Sequence, residues 1–139
     1  MNHHVTLTIS SLLSILLFSL HWAHEVARGL EPGTVSAFGG LLILAVWLCG
    51  TLVFAESRWG LVIMLLGAIL ASGVPVLHMR GAGLVGGRIA NASGILGVFF
   101  WVWTNIALGA TGMLSVVLSA RALWSLRRGQ KQPRPAEAS

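Results

Sequence analysis

His21, His24, Glu25 and Arg28 close the first hydrophobic stretch of the chain, SILLFSLHWAHEVAR, and are the residues whose types and spacing could do chemistry. They recur at three- and four-residue steps, so on a helix they share one face. Imidazole nitrogens and a carboxylate at this density suit a divalent transition metal. His78 is the other histidine expected to come near them. A histidine from each of two helices is also the arrangement that ligates a b-type haem axially. Three ligands from one helix need favourable rotamers, so His21 or His24 is expected to stand behind the ligands and orient them. The plainer alternative is interfacial histidines, hydrogen-bonded to Glu25 or bridged to it by water, with a packing role alone.

Two motif matches fail on context. His24-Glu25-Val26-Ala27-Arg28 follows H-E-x-x-H, the zinc-protease helix, until Arg28 replaces the second histidine. A guanidinium has no lone pair to give a metal, so that reading is rejected. Gly81-Ala82-Gly83-Leu84-Val85-Gly86 matches G-x-G-x-x-G, yet it follows an apolar helix where a strand is needed and has no acidic residue about twenty positions on. It reads as a Gly-rich loop. Arg28 and Arg80 are candidates for an anion site or for ion pairs with Glu25 and Glu31, pairing being the simpler expectation.

The elements that must carry these residues follow from composition. The 139 residues are 55% hydrophobic and 9% charged, with mean hydropathy +0.83. Soluble domains carry about 25% charged residues, so the deficit points to a membrane. Four apolar runs, about 5–27, 38–55, 60–79 and 94–123, each reach or approach the ~20 residues that cross a ~30 Å hydrocarbon core. An all-α, four-span bundle over residues 1–126 is expected, followed by a basic, Pro-containing disordered tail over 127–139. The first run lacks the positive n-region and small-x-small site of a cleaved signal peptide, so it reads as a retained span. Cys49 is the single cysteine, which excludes an intramolecular disulfide.

Packing surfaces can be read from small and hydroxyl residues. Ser10, Ser11 and Ser14 continue the polar stripe of the first run. Gly67 and Ala71 form a small-xxx-small pair, and Thr111, Ser115 and Ser119 repeat at four-residue steps. Packing within the chain is the simpler use of them, a homo-oligomer or larger membrane complex the alternative. Pro75 is expected to kink the third run one turn before His78. Asn105 should find an interhelical hydrogen bond, while Trp101, Trp103, Phe99 and Phe100 read as a packing block.

The net charge of +5 is gathered mainly in Arg127, Arg128, Lys131 and Arg134. Such a cluster beside a span contacts anionic lipid and sets topology, so no nucleic-acid partner is expected. Arg58, Arg121 and the four tail residues fall on one side of a four-span chain, against Arg28, Arg80 and Arg88 on the other. That asymmetry places both termini in the cytoplasm and the His/Glu cluster at the outer face of the cell membrane.

Three function classes fit. The first is a small multi-pass membrane protein, an accessory or structural subunit, with a candidate His/Glu site. The second is a metal- or haem-binding redox protein using that site. The third is a small-solute transporter, which is disfavoured because His and Glu are absent from the middle of every run. The topology has a direct check: reporter fusions at Pro32 and at Gly86 should both report the external side, and a cytoplasmic signal at either would refute it.

Overall fold

The computed structural model describes residues 3–27, 34–81 and 88–129, with side chains at 4–27, 38–78 and 94–128. All regular structure among them is helical: α1 (His3–Ala27), α2 (Thr34–Leu52), α3 (Arg58–Gly81) and α4 (Arg88–Gly129). Segments His4–Ala27, Arg58–His78 and Gly94–Arg128 are long and apolar enough to cross a membrane, while α2 offers a shorter apolar stretch, Phe38–Leu52. The second run, expected to reach Ala55, ends as a helix at Leu52. Val53 and Phe54 donate their N–H groups to the Cys49 carbonyl, and the chain turns. The Ser57 hydroxyl then accepts from the Gly60 N–H at 3.0 Å, an N-cap for α3.

Contacts between helices give their directions. Ser10 of α1 meets Ser115 of α4, and His21 meets Thr104, so α1 and α4 are antiparallel. Ser11 meets Thr51, and Trp22 lies over Gly40, so α2 runs against α1. Leu7 packs with Leu61 and Met64 at one end while His21 meets His78 at the other, so α1 and α3 are parallel. The bundle alternates up and down. Its described core holds two apolar clusters: Leu7, Leu61 and Met64 near the α1 N-terminus, and Trp47, Ala71 and Leu108 nearer the middle.

Three glycines set close approaches. Gly67 lies against the Trp47 indole and Ala71 is in the buried cluster with it, so the small-residue pair on α3 serves packing within the chain. Gly112 of α4 brings its backbone onto Ala68 and Ser72 of α3; an added Cβ there would stand 2.8 Å from the Ser72 nitrogen. Gly60 lies directly on the Phe54 carbonyl, which closes the α2–α3 turn.

α3 runs unbroken through Pro75, whose ring lies beside Gly109. Residues 88–93, expected within the loop, are helical, and Gly94 (φ 64°, ψ −178°) then breaks the path before the long part of α4. A positive φ costs glycine nothing, which suits it to that corner. α4 carries Arg127 and Arg128 in its last turn. The helix reaches three residues into the expected tail (127–139); the rest of that tail (130–139), with 28–33 and 82–87, lies outside the described residues.

The glycine contacts predict a contrast. Gly60→Ala should destabilise the bundle by about 1–3 kcal/mol through overpacking. Gly73→Ala in the same helix has open space at its Cβ, and should be neutral or stabilising by up to about 1 kcal/mol. Reversible unfolding in mixed micelles would measure both.

Candidate functional site

The site is built where α1, α3 and α4 converge. One turn separates His21 from Glu25 on α1, so both side chains leave the same face. His78, near the end of α3, reaches them because α3 runs parallel to α1. Three atoms meet there. His21 Nε2 and His78 Nε2 are 3.2 Å apart. His78 Nε2 lies 3.1 Å from Glu25 Oε1, and His21 Nε2 lies 3.4 Å from the same oxygen. Among the described residues these three form a group able to hold a metal ion.

Burial grades across the site. His21 is 2% exposed, Glu25 15% and His78 25%. The deep side is closed by α4. His21 Nδ1 lies 3.2 Å from Thr104 Oγ1, and that hydroxyl lies 2.8 Å from the Phe100 carbonyl and 3.1 Å from the Trp101 carbonyl. A threonine hydroxyl has a single proton. Given to its own helix, as these short distances imply, that proton leaves the oxygen to accept from His21 Nδ1–H. The tautomer so selected presents a bare Nε2 lone pair to the triangle.

Proton arithmetic decides what the triangle needs. With His21 Nε2 and a carboxylate both acting as acceptors, a neutral His78 brings one N–H to share among three edges. The 3.4 Å edge between His21 and Glu25 then sets two lone pairs against each other. A cation relieves this, either one more proton, making an imidazolium–carboxylate contact, or a metal ion bound by all three.

The fourth candidate ligand, His24, does not join the group. His24 was expected on the same face, but its ring stacks against Phe100 of α4, with centroids 5.4 Å apart. At about 100° per residue it stands some 60° from His21, on the side away from Glu25. Arg28 and the Arg80 side chain, the candidate anion or ion-pair residues, lie outside what is described.

Two residues of the site were not anticipated. Thr104 carried no sequence signal, being one hydroxyl inside an apolar run. Trp101 was read as packing only, yet its ring stands 5.2 Å from that of His78 and 6.0 Å from that of His21. Its indole N–H is buried with no acceptor among the described residues. Asn105 departs from its expected interhelical bond: its amide donates to the Trp101 carbonyl of its own helix at 3.0 Å, and Oδ1 is buried with no donor among the described residues.

Compared with protein-family models, curated proteins and solved structures, the chain matches none. The functional reading therefore rests on the site itself.

The tautomer makes a spectroscopic prediction. In 15N-histidine-labelled protein at pH 8, His21 should show a protonated Nδ1 and a pyridine-like Nε2. Thr104→Val should abolish that preference and cost about 1–3 kcal/mol of stability by stranding a buried N–H.

Proposed function

We propose that this chain is a four-span integral membrane protein, with both termini cytoplasmic, that holds one divalent transition metal at the outer mouth of its bundle. His21, Glu25 and His78 are the ligands. The observation that carries the reading is the size of their triangle. Tetrahedral sites with bonds of ~2.0–2.1 Å have ligand–ligand edges of roughly 3.3–3.4 Å. The three edges here are 3.1, 3.2 and 3.4 Å. Two imidazoles and a carboxylate are also a recurrent set for zinc and non-haem iron. Thr104 fixes the ring of His21 from behind, as an outer hydrogen bond does for metal-bound histidines.

The same distances weigh against haem. Two axial imidazole nitrogens stand on opposite faces of a macrocycle, about 4 Å apart through the iron, taking each bond as ~2 Å. Here they converge at 3.2 Å with a carboxylate, and Trp101 packs against both rings.

α2 is assigned as the fourth span because it runs antiparallel beside α1, and its 19 residues extend about 28 Å. The basic end of α4 supports an anionic lipid partner. Arg121, Arg127 and Arg128 are exposed there, and Arg128 lies 5.3 Å over the Trp124 ring, an aromatic suited to the interface. Without a metal, the alternative is an accessory subunit whose cluster only joins α1 to α3.

Purified protein, stripped with chelator and reloaded, should bind one Zn2+ per chain by elemental analysis. Affinity should rise with pH, because protons compete with the metal for the ligand atoms. His78→Ala should weaken binding by more than about 100-fold, and Thr104→Val by about 10–100-fold. Equal binding by wild type and His78→Ala would refute the site.

A further inference from the structure

We infer, on the basis of the metal reading above, that the metal at His21, Glu25 and His78 takes a small anion from solution as its fourth ligand, and that the Trp101 indole N–H holds that anion. Three side chains fill three of four tetrahedral positions, leaving one to an outside ligand. Charge selects its class. Two neutral imidazoles, one carboxylate and a divalent ion sum to one positive charge. In apolar surroundings an uncompensated charge is costly, and an anion cancels it.

Trp101 supplies the second, independent observation. It is 5% exposed, and its N–H has no acceptor among the described residues. An indole nitrogen only donates, so no rearrangement of its own chemistry satisfies it. Its ring packs on both histidine ligands, so the indole borders the site. A donor buried in this way is satisfied when an anion occupies the neighbouring metal. Size is bounded by the same packing: His21 is almost fully enclosed, and entry is left on the side where His78 and Glu25 are partly exposed. The ligand class is therefore a small monodentate anion.

The test uses the full-length protein in detergent, loaded with Co2+, whose visible absorption reports its ligands, and titrated with azide. Wild type should bind one Co2+ per chain, and azide should shift its bands saturably. Trp101→Phe should keep the Co2+ stoichiometry and weaken azide about tenfold, as loss of one hydrogen bond to a charged group does. Trp103→Phe, an exposed neighbour, should match wild type. In the Zn2+-loaded protein the Trp101 indole 15N–1H signal should move downfield on adding azide, a readout that does not depend on the variant retaining its fold. Stoichiometric Co2+ with no azide response overturns the anion position and leaves the metal site standing. Equal azide affinity in Trp101→Phe and wild type, or an unmoved indole signal, overturns the role of Trp101. Absence of Co2+ binding in wild type overturns the metal reading itself.

Discussion

The rotation of α1 is the constraint on which the other features depend. Its buried polar side chains, Ser10, Ser11, Ser14 and His21, lie along one broad stripe that faces the other helices. The hydroxyls of Ser10 and Ser115 are 2.7 Å apart across the α1–α4 seam, and those of Ser11 and Thr51 are 2.8 Å apart across the α1–α2 seam. Ser11 also accepts the Trp47 indole N–H at 3.0 Å. Turning α1 by one residue, about 100°, would break these pairings and carry at least one of the hydroxyls out of its seam to a face that offers no partner. His21 and Glu25 ride on the same stripe. The hydroxyl contacts near the N-terminal half therefore aim the imidazole and carboxylate at α3 two to three turns away. Because α3 is parallel to α1, a residue near its C-terminal end, His78, completes the cluster.

What could be read in advance follows from this logic. Helix number and approximate limits were legible because four apolar runs are separated by polar or Gly-rich breaks. The pairing of His21 with Glu25 was legible from a four-residue step, and the approach of His78 from equal depth on a parallel run. His24 was misplaced for a quantitative reason. Three-residue and four-residue steps fall on opposite sides of a helical stripe, and in this packing the far side belongs to α4, where Phe100 takes it. Thr104 and Trp101 were not legible as site residues, since their roles depend on which face of α4 meets α1. Glycines told the same story. Gly60 reads as one small residue among many, and its necessity is visible only when the Phe54 carbonyl is found against it.

The order of layers along the bundle bears on transport. Ser10, Ser11, Ser14, Thr51, Ser115 and Ser119 form a buried hydroxyl layer. His21, Glu25, His78 and Thr104 form a second polar layer nearer the other end. Between them lies the cluster of Trp47, Ala71 and Leu108, with Leu17, Phe18 and Val74 packed against it. Among the described residues, then, the two polar layers are separated by an apolar one. A solute or proton crossing the bundle needs polar groups through that layer, and Leu108, fully buried, stands in it instead. This arrangement suits a site that exchanges with one side of the membrane.

An apolar surrounding also sharpens the choice between a proton and a metal ion in the triangle. Both answer the same deficit, two lone pairs facing each other between His21 and Glu25. A proton satisfies one edge and leaves His78 to make its own bond to Glu25. A metal ion satisfies all three edges at once, and it draws on the convergence of three atoms, which a proton does not require. If the cluster had only to pair Glu25 with a histidine, the i,i+4 contact within α1 would suffice, and His78 could be any residue that packs. The third helix instead brings a second imidazole nitrogen to within 3.2 Å of the first. At that distance the two nitrogens are joined either by an N–H that one of them donates or by a metal ion bound to both. That second imidazole is what a divalent ion adds to the demands of a simple buried ion pair.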